Sequence, residues 1–209
     1  MSGVRIAVCG GSFDPIHRGH VEPLLSIFDA MEWSRALYVP AARQPFKRGG
    51  AVASARDRWA MAALATDDDP RLALSDIELE RGAVSYTIDT LEQLGSLYSD
   101  AAFDWIVGDD NLALLPEWKA IDRIFERANF VVLRRGSGIV PDGLLARIAP
   151  AEDRPRAGAI ALVDNVALPI SATEIRRRAG AGEAFEDLVV PPVARYIRKY
   201  GLYGYEEAK

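Results

Sequence analysis

Apolar residues in this chain follow two alternating rhythms: short unbroken runs bounded by Gly, Pro or Asp, then stretches with apolar residues three or four apart. The first run, Val4-Arg5-Ile6-Ala7-Val8-Cys9, predicts a buried strand. Val21, Leu24, Leu25 and Phe28 then mark one face of a helix that begins near His17 or Arg18. A second strand is expected over 36–40, and a βαβ unit of this kind leads to a parallel sheet. The alternation continues. Residues 54–65, with Trp59, Ala62 and Ala63, read as a helix, and residues 72–77 as a third strand. Ser85 or Thr87 is expected to cap a helix that buries Leu91, Leu94 and Leu97. Strands follow at 103–107, 130–133 and 159–163, with a helix carrying Ile121, Ile124 and Phe125 after the first of them. Residues 136–158, rich in Gly, Pro and charge, read as a surface excursion with a short helical piece around 144–148. Val193, Tyr196, Ile197 and Tyr200 mark a last helix expected to pack on the sheet. The sum is an α/β chain with a Rossmann-like, doubly wound parallel sheet of about six strands and helices on both faces. Residues 1–209 are expected to form a single domain, with 170–209 as a C-terminal helical portion packed on it.

Composition narrows the function. A chain of 209 residues can bury one sizeable core, and its net charge of −5 argues against a nucleic-acid partner, whose phosphates call for a basic surface. A single cysteine, Cys9, excludes an internal disulfide and fits a reducing compartment. No apolar run approaches ~20 residues and no leader pattern is visible, so a cytoplasmic protein is expected.

Candidate chemistry concentrates in two stretches. Gly10-Gly11-Ser12-Phe13-Asp14-Pro15-Ile16-His17-Arg18-Gly19-His20 joins the first strand to the first helix. Glycines there can take positive φ and admit close backbone approach, while the helix start offers unpaired N–H groups and the positive dipole end to an anion. The chain has only two histidines, and both fall here, three apart, on one side of the first turn. The second stretch is Ile170-Ser171-Ala172-Thr173-Glu174-Ile175-Arg176. Ser171 and Glu174 have capping-box spacing, and the hydroxyls of Ser171 and Thr173 with Arg176 form a second set of phosphate donors. Between them lie Lys47 and Arg48 on a loop past the second strand, Asp109 and Asp110 at the end of the fourth, and Trp118, whose ring could stack on a heterocycle.

The first stretch resembles the G-G-[ST]-F-[DN]-P-x-H-x-G-H motif of the nucleotidyltransferase α/β-phosphodiesterase superfamily. The second is similar to its I-S-[SA]-T-x-I-R element. Ser85-Tyr86-Thr87 with Asp89-Thr90-Leu91, Gly108 with Asp110, Trp118 and the closing Tyr-Gly-Leu-Tyr look like the internal motifs of the bacterial nicotinate mononucleotide adenylyltransferase family. This resemblance implies adenylyl transfer from ATP to nicotinate mononucleotide, giving nicotinate adenine dinucleotide and pyrophosphate. It implies ATP contacts at Gly10, Gly11, Ser12, Phe13, His17, His20, Gly108, Asp110, Ser171, Thr173 and Arg176, with His17, His20 and Arg176 catalytic. It implies mononucleotide contacts at Ser12, Lys47, Tyr86, Thr87, Trp118 and Arg135. Mg²⁺ would arrive with ATP without a protein metal site. The partners implied are these small molecules, with no nucleic acid and no membrane, and a homo-oligomer stays open. One departure stands out: where the family carries P-P-H-[KR], this chain has Gln44-Pro45-Phe46-Lys47. The competing readings are transfer to nicotinamide mononucleotide or 4′-phosphopantetheine, and a nucleotide sensor without turnover. Ser85-Tyr86-Thr87 and Trp118 weigh against pantetheine, the histidine pair and Arg176 against a sensor.

Overall fold

In a computed structural model, residues 4–45, 49–134 and 138–206 are described. Six strands, β1 (Arg5–Gly11), β2 (Arg35–Pro40), β3 (Leu72–Leu74), β4 (Ala102–Gly108), β5 (Ala128–Leu133) and β6 (Ile160–Val163), form one sheet in the order β3-β2-β1-β4-β5-β6. Every pairing is parallel. Among the described residues, seven α-helices surround it: α1 (Arg18–Leu25), α2 (Ala55–Thr66), α3 (Ile77–Arg81), α4 (Thr87–Leu97), α5 (Ile121–Phe125), α6 (Ala172–Gly180) and α7 (Pro191–Lys199).

Alternation along the strands assigns the two faces. On β1, Ala7 and Cys9 join a core with Leu24 of α1, Met61 of α2, Ile175 of α6 and Val193 of α7. Ile6 and Val8 point the other way, into a core with Ile77 of α3, Leu91 and Leu94 of α4 and Phe125 of α5. Both faces are therefore covered, as a parallel sheet requires. The chain runs outward through β2 and β3, then crosses back to β4, so the direction reverses between β1 and β4. A crevice opens at such a reversal, beyond the carboxyl ends of the two strands.

Several expected elements change. The third strand ends at Leu74, and Ile77 starts α3 instead. Pro23 lies inside α1, which stops at Leu25, and Phe28 is buried from the turn beyond it. The last helix leans mainly on α2, where the Tyr196 hydroxyl donates to Asp57 at 3.0 Å. The excursion is more than surface, because Arg154 within it is buried against Asp104 of β4, 2.8 Å away.

Candidate active site

The reversal between β1 and β4 opens into a cleft of about 640 Å³ lined by Gly10, Gly11, Ser12, Phe13, His20, Gly108, Asp110 and Arg176 toward one end and Tyr86, Thr87 and Trp118 toward the other. Residues from both ends of the chain meet there.

Gly10 and Gly11 close β1 and do not have positive φ. They are glycine because of what approaches them: a Cβ at Gly10 would sit 2.6 Å from Trp105 Cζ2, and one at Gly11 2.9 Å from Phe13 Cε1. The left-handed residue of the turn is Phe13, with φ of 49°. Gly10→Ala should therefore cost about 1–3 kcal/mol by displacing the buried Trp105 ring, measurable as a lower denaturation midpoint. An unchanged midpoint would show that the ring moves freely.

Asp14 fixes the turn. Its carboxylate accepts from the backbone N–H groups of Val52 (2.7 Å) and Ala53 (3.1 Å) and from the Tyr203 hydroxyl (2.9 Å). Burial first, and the Asp14 carboxylate second, push the Tyr203 phenol well above its ordinary pKa, so it stays a donor. Arg58 of α2 donates to the Ser12 carbonyl at 2.7 Å. Sequence patterns did not single out Asp14, Arg58 or Tyr203 as tethers, because their partners lie far away along the chain.

His17 and His20 share the first turn of α1, their rings 3.7 Å apart at 30°. His17 is 3% exposed and lies behind His20, which lines the cleft. The His17 backbone N–H donates to His20 Nδ1 at 3.2 Å. An imidazole that accepts at Nδ1 carries its proton on Nε2, so this cap makes His20 Nε2 a donor. The Phe13 ring meets His20 edge-on at 5.2 Å, and the Tyr38 hydroxyl donates to the His20 carbonyl at 3.1 Å.

The second helix start arrives beside the first. Arg176 of α6 donates to the Asp14 carbonyl at 2.7 Å and to Thr173 Oγ1 at 3.1 Å. Ser171 Oγ accepts from the Glu174 N–H at 3.2 Å, as capping spacing predicted. The reciprocal arm is absent: the Glu174 carboxylate pairs with Arg177 and then Arg178, which hold its pKa down at about 2. Ala172 and Arg176 reach the cleft, whereas Ser171 and Thr173 are exposed and do not line it.

At the other end, neither Ser85 nor Thr87 caps α4. Its N-cap is Tyr86, and no side chain caps the helix start. Ser85 Oγ accepts from the Ala42 N–H at 3.0 Å instead. Lys119 lies over the Tyr86 ring, 4.3 Å from its centre, and Trp118 meets Phe130 edge-on at 5.7 Å. Asp110 is exposed and lines the cleft, whereas Asp109 is buried. Lys47 and Arg135 lie outside the described residues.

Residues 8–178 match the family described as Cytidylyltransferase-like. A probable nicotinate-nucleotide adenylyltransferase of Saccharopolyspora erythraea is 36% identical over 203 residues, covering 97% of this chain and 91% of that one. The chain belongs to the nicotinate-nucleotide adenylyltransferase family. A second member, from Corynebacterium glutamicum, is 38% identical over 131 residues, covering 63% of this chain and 60% of the relative. The fold is also that of a solved family structure, the Plasmodium falciparum nicotinic acid mononucleotide adenylyltransferase complexed with NaAD. Its TM-score is 0.75 at 20% identity, covering 98% of this chain and all of the other. In this adenylyltransferase the matched region begins within β1 and ends within α6, so it takes in both converging helix starts.

Proposed function

We propose that this chain transfers the adenylyl group of ATP to nicotinate mononucleotide, releasing nicotinate adenine dinucleotide and pyrophosphate as a step in NAD biosynthesis. The observation that carries this reading is one cleft lined both by His20 and Arg176 and by Trp118 and the uncapped start of α4. Named relatives along nearly the whole chain support it.

The chemistry needs no general base. The 5′-phosphate of the mononucleotide is ionised at neutral pH and attacks the α-phosphorus in line, while the bond to the pyrophosphate oxygen breaks. The enzyme supplies placement and relief of negative charge. In this reading His20 Nε2–H meets the oxygens of the α-phosphoryl group as charge builds on them. His17 holds that ring from behind. Arg176 and the N–H groups at the start of α6 take the β and γ phosphates, with Ser171 and Thr173 at the rim, and Gly10 and Gly11 admit the chain of phosphates close to the backbone. Asp110 accepts from the adenosine ribose. Mg²⁺ would be carried by the phosphates of ATP, whose oxygens would supply its ligands and relieve negative charge around the α-phosphorus. Both substrates are charged metabolites, which suits a cytoplasmic setting and the single buried, free Cys9.

Nicotinate binding is assigned to the uncapped start of α4, where a carboxylate meets N–H groups and the helix dipole, with Trp118 against the pyridine ring. Thr87→Ala or Trp118→Ala should raise KM for the mononucleotide about tenfold, some 1.4 kcal/mol, and leave KM for ATP nearly unchanged. Equal rises for both substrates would misplace this end of the site. The reading as a whole is tested by pyrophosphate release from ATP with nicotinate mononucleotide, nicotinamide mononucleotide or 4′-phosphopantetheine. The first should be turned over fastest, and tight ATP binding without turnover of any would overturn the proposal.

A further inference from the structure

Residues 12–17 lie between β1 and α1 and belong to neither, yet Ser12, Phe13 and Asp14 all line the cleft. The course of this turn is held by side chains that arrive from elsewhere. Two of them grip Asp14, and both come from the C-terminal portion of the chain: Arg176 of α6 donates to its carbonyl at 2.7 Å, and the Tyr203 hydroxyl to its carboxylate Oδ1 at 2.9 Å.

Tyr203 sits in a single 3-10 turn, Leu202–Gly204, with φ of 62°, a left-handed conformation that an aromatic residue adopts at a cost. The turn rests directly on α6. A Cβ at Gly180, the last residue of that helix, would come 2.8 Å from the Tyr203 carbonyl oxygen, so the missing side chain is what lets the tail approach. This backbone brings the hydroxyl to a carboxylate that is 5% exposed and lines the cleft. Burial and the Asp14 charge keep the phenol protonated, and so a donor.

The two contacts act on one distance. Asp14 stands three residues ahead of His17, the N-cap of α1, and is held twice by a single unit: its carbonyl by Arg176, its carboxylate by the turn seated on Gly180. One hydrogen bond would let the Asp14 peptide pivot, whereas two fix its orientation. The start of α1, with His20, is thereby set at a defined distance from the start of α6, with Arg176. A triphosphate that bridges these two starts needs that distance held within about an ångström.

We propose that Tyr203 is a positioning residue for ATP: its hydroxyl, together with Arg176, locks Asp14 to α6 and so sets the gap between the two phosphate-binding helix starts. Tyr203 itself does not line the cleft and touches no reacting atom.

The inference rests on the ATP assignment above, and the measurements separate the two. Tyr203→Phe and Tyr203→Ala are compared with the parent by calorimetric titration with MgATP in the absence of mononucleotide, by steady-state kinetics and by amide hydrogen exchange. In Tyr203→Phe, which keeps the ring, ATP should bind about tenfold more weakly and kcat/KM for ATP should fall at least as far, while KM for nicotinate mononucleotide stays within about twofold of the parent. Its melting temperature should fall by only about 2–4 °C, the loss of one hydrogen bond. Exchange at Val52 and Ala53, whose N–H groups share the Asp14 carboxylate, should accelerate. Tyr203→Ala should lose more stability but little more ATP affinity. Parental ATP affinity in Tyr203→Phe, or an equal rise in both KM values, overturns the positioning role. A loss confined to Tyr203→Ala assigns the tail to packing and overturns it as well. A parent that binds ATP but releases no pyrophosphate would instead count against adenylyl transfer, leaving the titration to decide the role of Tyr203.

Discussion

Replacing His20 with alanine is expected to lower kcat by about 10²-fold or more, some 2.7 kcal/mol of transition-state stabilisation, with a much smaller change in KM for either substrate. The expectation follows from the hydrogen bond on its far side. Because Nδ1 accepts from the His17 N–H, the protonated Nε2 edge is the one left for the cleft. A donor held in a partly dry site needs no reorganisation as charge accumulates on the α-phosphoryl oxygens. The same bond is one arm of the cap on α1, so the substitution also costs about 1 kcal/mol of stability. Activity should therefore be read below the onset of melting. His20→Asn offers the check: its amide can still donate but is shorter, so it should lie between alanine and the parent. A stable His20→Ala protein with parental kcat would remove His20 from the proposed chemistry.

Much of this arrangement was legible in the sequence because it is local or periodic. Apolar runs located all six strands, and the βαβ rule turned them into a parallel sheet whose reversal predicts a cleft beside Gly10 and Gly108. The histidine spacing correctly placed both rings together. What failed to show had non-local causes. The stretch from Leu72 to Ile77 is apolar enough for one strand, yet α3 begins at Ile77, whose side chain packs under α4. Ser85 has the chemistry of a cap, but Tyr86 stands at the N-cap, and the Ala42 N–H, brought near only by the fold, takes the Ser85 hydroxyl. The glycines at 10 and 11 suggested backbone freedom, whereas contact with Trp105 and Phe13 is the constraint. Arg176 read as a phosphate ligand from its spacing alone, and its bond to the Asp14 carbonyl, 162 residues away, braces the turn before α1.

The largest stability effect is expected at the opposite end of the sheet. Asp104, in β4, is fully buried, and its two oxygens accept from four donors. Arg5 and Asn129 donate to Oδ1, each at 2.9 Å, while Trp33 Nε1 and Arg154 Nε donate to Oδ2 at 2.7 and 2.8 Å. β1, β4 and β5 are thereby joined to the excursion after β5, since Arg5 and Asn129 also donate to the Pro155 carbonyl. Asp104→Ala would leave the Arg154 guanidinium buried without its counter-charge, and removing one partner of a buried pair costs about 3–5 kcal/mol. In a chain of this size that corresponds to a fall in Tm of roughly 10 °C. Asp104 lies about 13 Å along its strand from Gly108 at the cleft, so kcat and both KM values should stay parental well below the new Tm. Asp104→Asn keeps one acceptor oxygen and should lose less. A Tm within about 1 °C of the parent for Asp104→Ala would mean that Arg154 leaves the interior at little cost, and that the excursion is not held to the sheet by charge.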